Sequence, residues 1–122
     1  MIKSWRDLEV WKKAHQLVLE VYTVTKKYPS EEKYRLVDQI CRAAASIPTN
    51  ISEGKGRSSL KEYMQFLFIA KGSCEETQYL LLLSKDLGYI NQETHDELIK
   101  GYTEIGMMLN GLINSLKNKP RT

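Results

Sequence analysis

The stretch SIPTNISEGKGRSS, Ser46 to Ser59, decides the fold of this chain. A proline, two glycines and a lysine and an arginine interrupt a sequence that otherwise has helical periodicity, so the stretch is either a loop that cradles phosphate or a corner between two helices. Upstream, Leu36, Ile40 and Ala43 or Ala44 recur at three- and four-residue steps, and Ile47 and Ile51 keep that phase beyond Pro48. A break at Pro48 would free Ile51 from the register. The spacing therefore predicts one kinked helix from Ser30 to about Glu53, bent near Ala44 to Pro48, with the small run Ala43 to Ser46 making room for the proline ring. Gly54 and Gly56 stand where a helix end takes a left-handed residue, and Ser59 with Glu62 forms an S-x-x-E capping box for the next helix. The phosphate loop fails on spacing: GKGRSS lacks G-x-x-x-x-G-K-[ST], and no strand precedes it.

Working outward, three more helices emerge. The first runs from about Ser4 to Lys27, with Ser4 as cap and Leu8, Trp11, Ala14 or His15, Val18, Val21 or Tyr22 and Thr25 on its inner face; Pro29 ends it. Leu60 to Leu87 carries a seam of Leu60, Tyr63, Leu67, Ala70, Cys74, Thr77 and Leu81, yet Phe66, Phe68, Ile69, Leu80 and Leu83 point elsewhere. Gly88 closes that helix and Asn91 caps the last, about Gln92 to Leu116, whose seam is Leu98, Tyr102, Ile105, Leu109, Leu112 and Leu116. Four helices with short connections give an all-α, up-down-up-down antiparallel four-helix bundle, expected as a single domain over residues 1–122.

Composition bounds the function classes. Apolar residues at 42% and charged residues at 27% suit a soluble globular chain, and no segment reaches the run of about 18 apolar residues that a membrane span needs. The N-terminal MIKSWRDLEVWKKAHQ has charges every few residues, so the expected location is cytoplasmic and no membrane partner is expected. Cys41 and Cys74 are too few and too far apart for a disulfide framework or a zinc site and read as buried thiols.

Chemistry-bearing constellations are scarce. A di-iron bundle needs paired Glu-x-x-His motifs, whereas the residue three before His95 is Gln92 and that before His15 is Lys12. Glu75 and Glu76 lie between apolar runs; they either form a solvated face or place one carboxylate in an ion pair with a base such as Arg42. No nucleophile or second histidine accompanies them. The reading is of a chain that is not an enzyme, with no catalytic residue, cofactor or metal ligand.

The segments Trp5-x-x-Leu8-x-x-Trp11, RAAASIPTNISEGKGR and GSCEET, within a match over residues 5 to 90, resemble the four-helix-bundle proteins encoded in intervening sequences of 23S rRNA genes. The resemblance implies a bundle that assembles into homopentamers and, through related accessory proteins of diversity-generating retroelements, a nucleic-acid-associated binding module. It brings no active site with it.

Two expectations follow. The broad apolar surface of the third helix, with Val10, Leu17 and Val24 at seven-residue steps on the first, suggests faces covered by other subunits: a homo-oligomer, which the resemblance narrows to a pentameric ring. The second concerns charge. Residues 1–15, 50–62 and 110–122 fall at one end of an up-down-up-down bundle and hold ten basic against four acidic residues, +6 in a chain whose total is +3. That end is expected to meet an RNA or DNA backbone through Lys55, Arg57 and Lys61, supported by a tail of Lys117, Lys119 and Arg121. The alternative is a protein scaffold or accessory subunit, bound to a protein partner and making no nucleic-acid contact, in which these residues only solvate the rim.

Overall fold

A computed structural model describes residues 4–119. Four helices carry the architecture: α1 Glu9–Thr25, α2 Leu36–Lys55, α3 Leu60–Asp86 and α4 Gln92–Lys117. Helix α1 packs against α2 and α4, α3 packs against the same two, and the backbones of the diagonal pairs stay more than 8 Å apart. The result is an all-α four-helix bundle whose sequential neighbours are adjacent, as short connections require.

Helix α2 runs through Pro48 to Lys55, and Ile47 and Ile51 are fully buried on either side of the proline. The turn around Pro48 is supported by side chains: Thr49 Oγ1 donates to the Ala45 carbonyl at 2.8 Å and Asn50 Nδ2 to that of Ser46 at 2.7 Å. Ser73 of α3 donates to the Ser46 hydroxyl at 2.9 Å, which ties the neighbouring helix to this turn. The phase of the apolar residues thus outweighed the helix-breaking tendency of one proline.

The corner after α2 forms differently from the sequence expectation. Neither Gly54 nor Gly56 is left-handed: Gly56 has φ −80° and ψ −6°, and among the described residues only Gly88 has positive φ, at 86°. Gly54 is needed for space, since a Cβ there would lie 2.8 Å from Phe66 Cβ and 3.2 Å from the Tyr63 carbonyl oxygen. Ser59 caps α3 by accepting from the Glu62 N–H at 3.0 Å. At the far end of α3, Gly88 makes the left-handed turn, with Tyr89 N–H donating to the Ser84 carbonyl at 2.9 Å.

Both of the first two helices begin later than their periodicity suggested. Trp5–Asp7 is a separate 3-10 turn closed by a reciprocal Ser4–Asp7 capping box, and Leu8 is extended (φ −73°, ψ 127°) before α1 starts. The capping pair satisfies its own short turn, and Leu8 then turns its side chain into the core. The buried face of α1 is consequently Val10, Ala14, Leu17, Val21 and Thr25, with Trp11 and Val18 half-buried at its edge. Val10 and Leu17 therefore belong to the internal core and offer nothing to another subunit. Ser30–Glu32 is likewise an isolated 3-10 turn, and Arg35 (φ −120°, ψ −100°) separates it from α2.

The apolar surplus of α3 divides in two. Leu80 is buried, and Phe66 and Leu83 are half-buried, whereas Phe68 and Ile69 are about half exposed. Glu75 and Glu76 are exposed, and Arg42 pairs with Asp38 of its own helix at 3.1 Å, so no buried inter-helix ion pair forms there.

Candidate nucleic-acid interface

One end of the bundle gathers the Trp5–Asp7 turn, the C-terminus of α2, the N-terminus of α3 and the C-terminus of α4. Three of the basic side chains expected there, Lys55, Arg57 and Lys117, lie over aromatic rings of α3. On the side facing α2, Lys55 Nζ is 5.9 Å from the centroid of Tyr63 and the Arg57 guanidinium 4.7 Å from that of Phe66. Two residues separate Phe66 from Phe68, a rotation of about 200°. On that opposite side, Lys71 and Lys117 lie 5.8 Å and 5.7 Å from the Phe68 centroid. Lys61, seven residues before Phe68, shares its face of the helix.

Helix α3 thus begins between two basic groups, Lys55 with Arg57 and Lys61 with Lys71 and Lys117. Lys119 is exposed just beyond α4, and Arg121 lies outside the described residues. Lys71 was missed in the sequence reading. Its i, i+3 spacing from Phe68 was visible there, but Lys117 converging on the same ring is a tertiary fact.

Ion pairing distinguishes these cations. Lys12 pairs with Glu9 at 3.3 Å, Lys13 with Glu104 at 2.6 Å and Arg57 with Glu53 at 3.6 Å. The Lys13 contact holds the Glu104 carboxyl below its ordinary range. Lys55, Lys61, Lys71, Lys117 and Lys119 form no ion pair among the described residues. Contact with an aromatic face leaves a lysine's N–H donors free, so Lys55, Lys71 and Lys117 remain available to an anion, as do Lys61 and Lys119, which touch no ring among the described residues.

Elsewhere burial raises the pKa values of the buried thiols and tyrosines. Burial pushes the Cys74 thiol up to about 11 and the Cys41 thiol upward as well, so neither is a thiolate at neutral pH. His15 stacks on Trp11 and His95 lies 2.9 Å from Asp96 Oδ1. Among the described residues no three His, Cys, Asp or Glu side chains converge to hold a metal ion, and no helix is long and apolar enough to cross a membrane.

The fold and this end together define a small helical bundle with a basic, aromatic-lined terminus. The family model of the 23S rRNA-intervening sequence protein matches residues 6–111, and the chain belongs to that family. A crystal structure at 1.70 Å of a protein of unknown function from the S23 ribosomal protein family, from Bacteroides thetaiotaomicron VPI-5482, is similar at 28% identity and a TM-score of 0.79, covering 85% of this chain and 97% of that one. No curated protein matches the chain.

Proposed function

We propose that this protein is a non-enzymatic binding module that associates with the phosphate backbone of RNA or DNA through the basic end of its bundle. The observation that carries the reading is the group of lysines at Lys55, Lys61, Lys71, Lys117 and Lys119 with no carboxylate partner among the described residues, three of them placed over rings of α3. Unpaired cations release counterions when they meet phosphates, which gives affinity without base readout. Its test is a titration of labelled RNA and DNA against salt, with wild type and the Lys55→Gln, Arg57→Gln, Lys61→Gln triple variant. The wild type binds at low salt, and the variant binds more weakly with a log K against log salt slope shallower by about 2. An absence of binding at low salt, or an unchanged slope in the variant, overturns the reading.

A second reading rests on α3. Phe68, Tyr79 and Leu82 fall on one stripe of the helix and are 47%, 59% and 39% exposed, a surface that suits contact with another protein chain. Self-association through this stripe would form a homo-oligomer, in its finer form a pentameric ring that repeats the basic end around one face. Light scattering at micromolar concentration checks it: a 14.1 kDa particle means the stripe is not a self-association surface.

A further inference from the structure

Between α1 and the C-terminal half of α2, next to the basic end, lies a cleft of about 270 Å³. One wall is aromatic. Trp5 and Trp11 meet at 4.7 Å between centroids with their planes 56° apart, and His15 stacks on Trp11 at 5.2 Å and 10°. The guanidinium of Arg6 lies 4.1 Å over Trp5. The facing wall is Ala45 and Pro48, flat and without a free backbone N–H at the proline, and Thr49 and Ser52 complete the lining from α2. Both hydroxyls have already committed their hydrogens: Thr49 Oγ1 donates to the Ala45 carbonyl and Ser52 Oγ to the Thr49 carbonyl, each at 2.8 Å. Their oxygens therefore present acceptors only. Lys55 follows Ser52 by one turn of α2 and continues the same helix into the basic end.

We infer that this cleft receives an unpaired nucleobase, so that the protein selects single-stranded over duplex nucleic acid; the inference rests on the basic-end reading of the preceding section. Three features converge on that ligand. The Trp5–Trp11 pair lines the cleft, and stacking on such rings is tolerant of base identity. The acceptor oxygens of Thr49 and Ser52 suit the N–H and amino groups on a base edge, which duplex pairing would occupy. Arg6, 4.1 Å over Trp5, stands at the cleft's edge for a phosphate beside the inserted base, and Lys55, over Tyr63 of α3, offers a second cation one turn of α2 beyond Ser52. A bare aromatic anchor for a protein side chain would explain the rings, but it leaves the acceptor pair and these cations without a role.

The chain has two tryptophans, both in this cleft, so intrinsic tryptophan emission reports on the site alone. Unstructured oligo(U) and an RNA duplex of equal length are titrated at low salt, following both emission and anisotropy of a labelled strand. The expected result is quenching by oligo(U) and affinity about tenfold above that for the duplex. Trp5→Leu removes most of that preference by lowering single-strand affinity far more than duplex affinity. Thr49→Val, which keeps the shape at an exposed position, lowers single-strand affinity about threefold and serves where Trp5→Leu does not fold. Binding of oligo(U) without quenching, or equal affinity for both forms, overturns the cleft while the basic end stands. No binding of either form overturns both. Emission that changes with protein concentration in the absence of RNA assigns the cleft to a second copy of the chain and overturns the inference.

Discussion

The two ends of the bundle use charge in opposite ways. At the end holding the Ser30–Glu32 turn and the α3–α4 connection, residues 22–40 and 80–98 contain five basic and seven acidic residues, and the carboxylates work as structure. Glu32 is buried, accepts from the Tyr89 hydroxyl at 2.7 Å and has Arg35 3.8 Å away; Tyr89 in turn packs on Tyr28 at 5.2 Å. That bond keeps the proton on Tyr89, raising its pKa above the ordinary tyrosine value. Asp96 is held by Gln92 at 2.8 Å and by His95 at 2.9 Å, and the His95 contact is the main reason its carboxyl lies below the usual range. At the opposite end the fold is held by close helix approach at Gly54, and Lys55, Lys61, Lys117 and Lys119 form no ion pair among the described residues. Charge closes loops at one end and is presented to solvent at the other.

The sharpest way to break that contrast is to attack the helix approach. Alanine at Gly54 brings a Cβ within 2.8 Å of Phe66 Cβ and 3.2 Å of a main-chain oxygen, neither of which can swing away. Overpacking of this kind costs about 1–3 kcal/mol, so after the roughly 1 kcal/mol gained from helix propensity Gly54→Ala is expected to lose up to about 2 kcal/mol in denaturant unfolding. Gly101 supplies the control. Its Cβ would meet Leu17 Cδ2 at 2.8 Å, the mobile end of a side chain, so Gly101→Ala stays within about 1 kcal/mol of wild type. Equal stability of the two variants would mean that Gly54 does not set the approach of α2 to α3.

The opposite end yields a smaller effect. Replacing Glu32 by glutamine keeps an acceptor for Tyr89 and removes the charge that strengthens it, for an expected loss of about 1 kcal/mol. A double-mutant cycle with Tyr89→Phe isolates the bond, and a coupling indistinguishable from zero would deny the carboxylate its structural role.

What was legible in the sequence follows the same division. Periodicity located all four helices and carried α2 through Pro48, because Ile47 and Ile51 needed the core whatever the proline preferred. Asn91 as cap of α4 and Gly88 as the end of α3 were visible from their side chains alone. The start of α1 was not, because a Ser4–Asp7 capping box looks the same in sequence whether it opens a long helix or closes a three-residue turn. Leu8, Ala14, Val21 and Thr25 of the expected inner face are buried, but Val10 and Leu17 take the places expected for Trp11 and Val18, and with that went part of the case for a second subunit. The basic end was legible as a sum of charges. Its partition into two groups around α3 was not, since it depends on which ring each cation reaches across the bundle. Gly54 illustrates the limit best: the sequence marks a glycine at a corner, and only packing tells a need for space from a need for positive φ.

The smallest effect makes the finest test of the contrast. If the lysines of the basic end serve an external anion, their mutual repulsion is a cost the isolated protein bears, and neutralising two that touch no ring should not harm the fold. Lys61 and Lys119 are exposed and form no ion pair among the described residues. The Lys61→Gln, Lys119→Gln variant is expected to be more stable at low salt by a few tenths of a kcal/mol, with the difference gone near 1 M salt, where the screening length falls to about 3 Å. Thermal melts of both proteins at the two salt concentrations measure it. A loss of more than about 1 kcal/mol at low salt would show that these lysines hold the bundle together, and the two ends would then use charge in the same way.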